Sequence, residues 1–475
     1  MHVYILGGGP AGLAIAHGLS LWSDLSFTVL EGRSSPGGLA QTLEWGENGF
    51  HDLGPHKIFT LDQVLMERIE ALLSPEEWLT RTKASCIYIR GHYLRYPPSP
   101  FSLAHVYGIP AFIHMISGYG LARLRALFGS RTPATFEEDI VHRLGWKLYE
   151  ALFKPIASKL WGHPAHLDAK LSKGRVQTPS LWEILGRLVK LRRSSDFEAL
   201  DFRYPRGGLQ KLWESILAQT QTQGCCLLNC MVTGVEARGK RIHKICCQNH
   251  RTQEKEEIQV QADDFVFSTL PLVKLSKLVT GFGSEGFADL IRKYVVLNDL
   301  LLIFLKIDQT RLLDVSWIFV PDPDIAFHRV SEQAAFDPDM TSGGSIVCCE
   351  IMSNENRRMA ELTDNALIDL AKQGLEQMGY KGFTVLDQRV IRLPESYPVY
   401  QTGFEQSLKS ILYEWDQLAN FRTVGRQGAF SYIGTLDAMD IGYGAARWFI
   451  DSDTTSREND WQIERERTRY YPVLD

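Results

Sequence analysis

Val3-Tyr4-Ile5-Leu6-Gly7-Gly8-Gly9-Pro10-Ala11-Gly12 is the stretch whose reading decides the fold. A short apolar run ends in a glycine turn, and the small and aliphatic residues from Leu13 to Leu21 continue as a helix. Gly7, Gly9 and Gly12 stand in G-x-G-x-x-G register. The first permits the tight turn, the second lets the backbone approach a pyrophosphate, and the third lets helix and strand pack closely. Phosphates would sit on the helix N-terminus, where free N–H groups and the dipole favour anions. Further out, Phe27-Thr28-Val29-Leu30 reads as a second strand ending in Glu31. That spacing places a carboxylate on an adenosine ribose.

Gly37-Gly38 then completes an E-x5-G-G extension that resembles flavoproteins of the glutathione-reductase-like class, in which these glycines lie beside FAD. A domain that binds only NAD does not need it. The expected cofactor is therefore FAD, held non-covalently, since no Cys or His flavinylation motif is recognisable.

The remainder of the chain bounds the answer. Its 475 residues suggest two to four structural units, at roughly 100–200 residues each. A net charge of −5 argues against a nucleic-acid partner, because polyanion binders carry a basic excess. The 23 Phe, 11 Trp and 17 Tyr argue against disorder. The first residues carry no basic leader pattern. The richest apolar run, Leu300 to Leu305, is far below the ~20 residues of a membrane span. The expectation is a cytoplasmic protein without stable membrane insertion. The eight cysteines fall mostly as adjacent pairs in apolar runs without C-x-x-C spacing, and read as small buried hydrophobes. His51 and His56 flank Asp52, but their spacing opposes two ligands on one strand face, so no metal site is expected.

Residues 101–200 are dominated by helical periodicity. Thr135 and Glu138 have capping-box spacing, and Phe136, Ile140, Leu144, Leu148 and Leu152 predict one amphipathic helix. Strand-like runs occupy 295–350, while the tail beyond 451 is charged with no clear apolar face. The reading is an α/β fold. A Rossmann-like FAD-binding domain of the glutathione-reductase-like class is built from 1–85, 201–290 and 386–450. A helical insert spans 86–200, a mixed-sheet substrate domain 291–385 and a charged tail 451–475.

Beyond the glycine loop, six segments resemble the UDP-galactopyranose mutases and their protoporphyrinogen-oxidase-like relatives. They are Gly54-Pro55-His56, Lys159-Leu160-Trp161-Gly162, Gly174-Arg175-Val176, Phe327-His328-Arg329-Val330-Ser331-Glu332, Tyr397-Pro398-Val399, and Gly425-Arg426-Gln427-Gly428 followed by Tyr432. The resemblance implies that His56 lies close to the isoalloxazine and that Arg426 meets the flavin. Arg175 and Arg329 clamp a diphosphate, while Trp161, Tyr397 and Tyr432 line the nucleotide-sugar pocket. It implies isomerisation of a sugar nucleotide between pyranose and furanose forms through a reduced-flavin N5 adduct. The nucleophile is then cofactor-borne, which accounts for the lack of a protein nucleophile signature, and two guanidiniums suit a departing diphosphate. NAD(P)H is the candidate external reductant.

Two departures bear on the substrate. Ile156 occupies a position where the bacterial mutases carry a base-stacking aromatic, and Phe59 replaces the second His of G-P-H-x-F-H-T. Sugar and base thus stay open. The alternative is an FAD-dependent oxidoreductase of the amine oxidase or protoporphyrinogen oxidase type, which has no need of a diphosphate clamp.

Overall fold

Strand, glycine turn and helix follow one another as the opening sequence requires: strand His2–Leu6, helix Pro10–Trp22, strand Ser26–Leu30. The structure is a computed structural model and describes residues 1–96, 98–127, 132–173, 201–453, 456–469 and 471. His2–Leu6 lies at the centre of a parallel sheet in the order Phe421–Thr423, Phe265–Ser268, His2–Leu6, Ser26–Leu30, Gly224–Leu227. Val3, Ile5, Val29, Val266 and Phe267 are fully or almost fully buried, as befits parallel strands covered on both faces. Helix Thr435–Asp451 returns across helix Pro10–Trp22 at close range. A Cβ on Gly442 would come within 2.7 Å of the Ala14 methyl. This is the Rossmann-like architecture that the opening sequence predicts.

A four-stranded sheet, ordered Lys255–Gln259, Arg241–Asn249, Cys230–Arg238, Val279–Thr280, shares a core with Val266 and Phe421 of the first sheet. The third sheet has seven strands: Val385–Val399, Val296–Ile307, Ser345–Ser353, Arg329–Glu332, Trp317–Phe319, Ser85–Ile89 and His92–Arg95. It therefore takes in residues 85–95 and 386–399, outside the 291–385 expected of it. Cys86 pairs with Ile318, and Val399 with Val296. Such long-range pairings leave no local mark on a strand-like run.

The long amphipathic helix expected from residue 136 is broken. Helix Phe136–Leu144 starts at its Thr135 cap, whose hydroxyl accepts from the Glu138 N–H at 3.1 Å. It stops at Gly145, which has φ +83°. A side chain there would run into the backbone of Gly118 on helix Ile109–Leu127, so the close approach of that helix ends Phe136–Leu144. Tyr149–Phe153 then forms a π-helical turn, leading into helix Lys154–Leu160. All eight thiols are free.

The charged tail contains helix Arg457–Arg467 and is anchored after all. Trp461 is 2% exposed and packs on Trp448, with Arg422 and Arg465 over its ring. Arg465 also forks onto Asp416 at 2.5 and 2.6 Å. One aromatic and a set of ion pairs dock a helix whose other residues are polar except for the exposed Ile463.

Candidate active site

Three turns converge beside the N-terminus of helix Pro10–Trp22. In the glycine loop, a Cβ on Gly12 would overlap the Gly7 carbonyl, and Gly7 itself has φ +105°. The Gly37-Gly38 turn lies directly against it: the Gly37 N–H donates to the Gly8 carbonyl at 2.8 Å, and a Cβ on Gly38 would stand 3.1 Å from Gly9 Cα. Glu31 is buried, with one carboxylate oxygen accepting from the Gly8 N–H at 2.7 Å and the other from the Arg33 N–H at 2.8 Å. The Arg33 guanidinium and the Trp213 indole pin the second turn through the carbonyls of Gly38 and Ala40. The third turn is Gly425–Gly428, where a Cβ on Gly425 would sit 2.9 Å from the Ala11 methyl.

Arg426 extends from that third turn. Its guanidinium lies over the rings of Tyr397, at 4.9 Å, and Tyr432, at 5.0 Å, and donates to the Ile433 carbonyl. Tyr397 and Tyr432 meet edge to face at 5.4 Å, and Tyr432 meets Trp161 in the same way at 6.2 Å. Strand Val296–Ile307 holds this wall in place. Asn298 pairs in register with Tyr397, and its side chain donates to the Leu160 carbonyl just before Trp161. Buried Lys159 donates to the Val320 and Phe327 carbonyls, and burial lowers its ammonium to about 7. Trp161 also borders a cavity of about 440 Å³ lined by Leu167, Asn298, Asn354, Val399 and Gln401.

Arg329 stands on the strand Arg329–Glu332 and forks onto Glu350 of the neighbouring strand, at 2.6 and 2.8 Å. Glu350 has almost no exposed side chain, and Gly54 packs on its carboxylate. His56 follows Gly54 in the same turn. Burial lowers its imidazole to about 4, reinforced by the positive charges of Arg329 and Arg426. A carbonyl can only accept, so His56 Nε2–H donates to Leu53 at 3.2 Å. Nδ1 is then left to accept from the Thr435 hydroxyl at 3.5 Å.

The structure thus brings His56, Arg329, Arg426, Tyr397, Tyr432 and Trp161 together, next to the loop formed by Gly7, Gly9, Gly12, Glu31, Gly37 and Gly38. Arg175 lies outside the described residues. Glu350, Asn298 and Thr435, which no motif singled out, hold the site from behind. Phe59 packs against the cluster of Leu79, Phe202 and Tyr204. His51 lies against the Phe304 ring at 3.8 Å, and among the described residues no group of His, Cys, Asp and Glu could hold a metal ion.

The residues suit a flavin dinucleotide. Two glycine turns leave no side chain between the backbone and a pyrophosphate. The Arg426 Nε is buried without a hydrogen-bond partner among the described residues and can donate to a carbonyl of the ring system.

Several solved structures share the fold. One is a reduced UDP-galactopyranose mutase, with TM-score 0.81 at 18% identity, covering 98% of this chain and 97% of that one. Another, from Exiguobacterium sp., is described as a protoporphyrinogen oxidase, with TM-score 0.70 at 16% identity over 98% and 99%. A fatty acid isomerase from P. acnes has TM-score 0.59 at 13% identity over 94% and 98%. At these identities the likeness is one of fold. A family model, flavin containing amine oxidoreductase, matches residues 10–407. The glycine cradle and that match together imply FAD as the cofactor. The chain belongs to the flavin containing amine oxidoreductase family.

Proposed function

We propose that the protein is an FAD-dependent mutase that interconverts the pyranose and furanose forms of a sugar nucleotide. The observation that carries this reading is the Arg329 guanidinium, fixed by the Glu350 fork beside a neutral His56 and near a Tyr–Trp wall backed by Arg426. An oxidase pocket for an amine or porphyrinogen has no need of a fixed guanidinium of this kind. A diphosphate does, because charge-assisted hydrogen bonds from guanidinium are strong and directional. The mutase among the structures of like fold supports the same reading.

Gly7, Gly9, Gly12, Glu31, Gly37, Gly38 and Arg426 would hold FAD, which in its reduced form supplies an electron-rich ring nitrogen as nucleophile, with NAD(P)H as the candidate external reductant. Arg329, kept in place by Glu350, stabilises the charge that develops on the departing diphosphate. Arg175 is the second clamp residue in this reading. Tyr397 and Tyr432 offer neutral hydroxyl donors and fix the Arg426 plane, while Trp161 covers one face of the sugar nucleotide. His56, with both ring nitrogens engaged, contributes a neutral ring rather than a third positive charge. We place the activity in the cytoplasm.

The test is turnover with dithionite-reduced protein and a panel of nucleotide sugars. Pyranose and furanose forms should reach equilibrium over many turnovers per reducing equivalent. Anaerobic bleaching of the flavin by an amine or porphyrinogen, hydrogen peroxide in air and no ring isomerisation would assign the protein to the oxidoreductases instead.

A further inference from the structure

Helices Pro100–Tyr107 and Ile109–Leu127 turn a row of apolar side chains outward. Phe101, Ile109 and Ile113 are 67%, 68% and 60% exposed, and Ile116, Leu121 and Leu124 are exposed with them. At 3.6 residues per turn, positions 109, 113, 116, 120 and 124 form one continuous stripe. The opposite face of the same helix buries Met115, Tyr119 and Ala122, so the outward stripe is not a by-product of an apolar helix lacking a core. Single exposed hydrophobes need no explanation, but an aligned set does.

Charge is distributed in the same place. From Arg90 to Arg125 the sequence contains four arginines and no Asp or Glu, in a chain whose net charge is −5. Arg123 and Arg125 flank the stripe on either side. Exposed Arg90 and Arg95 stand on the hairpin of strands Ser85–Ile89 and His92–Arg95, which packs beside both helices. The His92 and His105 rings, 5.3 Å apart, join the hairpin to the first of them.

We infer that this face docks reversibly on an anionic lipid surface. The helix lies in the surface rather than across it: no helix among the described residues is long and apolar enough to cross a membrane. Aliphatic side chains bordered by arginines are the composition of an interfacial helix. The stripe offers almost no hydrogen-bonding groups for a protein partner to read, whereas acyl chains require none. A second copy of the chain is a poorer occupant, because a two-fold contact would set the arginines bordering the stripe against themselves.

The experiment is co-sedimentation of the FAD-loaded protein with vesicles of phosphatidylcholine alone, or of equal parts phosphatidylcholine and phosphatidylglycerol. Binding to the mixed vesicles and not to the neutral ones is expected, weakening as ionic strength rises. Arg123→Gln and Arg125→Gln should each weaken it about five-fold, and Ile113→Glu about ten-fold or more. Flavin content and thermal midpoint should not change in any of the three. No sedimentation with the mixed vesicles at low ionic strength would overturn the inference. So would equal binding to both vesicle types, or a dimer in sedimentation velocity that Ile113→Glu dissolves, which would give the face to a second copy.

Discussion

Glu350 receives both hydrogen bonds of the Arg329 fork while having almost no contact with solvent. Removing one partner of such a pair leaves a buried charge behind, commonly at a cost of ~3–5 kcal/mol. Glu350→Gln should therefore lower stability by about 2–4 kcal/mol, a little less because Arg329 is partly exposed, as measured by denaturant titration. Arg329→Ala strands Glu350 in turn, so nucleotide binding is best read from Arg329→Ala/Glu350→Ala, which removes the pair together. That double variant should lose about 1.5–3 kcal/mol of nucleoside diphosphate affinity by calorimetry with flavin content unchanged. Undiminished affinity would remove Arg329 from the pocket. Arg329 could be singled out from sequence, but its partner could not. The acidic residue of its motif, Glu332, lies three positions along the strand and hence on the opposite face, where it accepts from the Leu312 and Leu313 N–H groups at 2.8 Å. Glu350 is directly across from Arg329 in the strand register. Only the register reveals that pairing.

At the scale of elements, the glycine loop was legible because each glycine answers a local steric demand, and local demands are what a motif records. The closeness of helices Pro10–Trp22 and Thr435–Asp451 was not legible, since more than four hundred residues separate the partners. Gly442→Ala would push a methyl against Ala14 and the Ala11 carbonyl. Overpacking of that kind costs ~1–3 kcal/mol, and because Ala11 belongs to the glycine loop, FAD retention on a desalting column should fall together with the thermal midpoint. Thr135→Ala tests a different kind of contact. It removes one cap from helix Phe136–Leu144 and should cost about 1 kcal/mol without affecting flavin content. The period-four pattern holds as burial for Phe136, Ile140 and Leu144, while Leu148 and Leu152 beyond the break are only half-buried; periodicity does not register a glycine that admits a neighbouring backbone, and the helix ends at Gly145.

Over the whole molecule, buried titratable groups set the response to pH. Burial holds His17, His51 and His56 neutral down to about 4, whereas in the unfolded chain they protonate near 6.5. Between those values the unfolded state binds more protons, so stability falls as pH drops from about 6.5 to 4. Asp52 acts in the opposite sense. Burial raises its carboxyl to about 6, so the folded state takes up that proton first and gains as pH falls below 6. These four groups leave a net loss on the order of 2–3 kcal/mol per pH unit between pH 6 and 4; His328, held well below its usual range by burial, adds to it, and Glu332, raised by burial, offsets part. Denaturant titrations across that range should show it, and His17→Gln should flatten the slope by about 1.4 kcal/mol per unit. An unchanged slope would mean that His17 already titrates normally in the folded protein.

The parallel sheet imposes an order of events during synthesis. Its central strand, His2–Leu6, is made together with one neighbour, Ser26–Leu30, but the other neighbour, Phe265–Ser268, and the outer strands Gly224–Leu227 and Phe421–Thr423 follow only hundreds of residues later. Until residue 423 has emerged, Val3, Ile5 and Val29 have no complete core to enter. Until then the nascent chain carries apolar strands with open edges, the species that self-associates most readily. A chain stopped before residue 421 should be captured by holdase chaperones and cleared by proteases, and productive yield should depend on elongation rate more steeply than for a protein whose neighbouring strands are also neighbours in sequence.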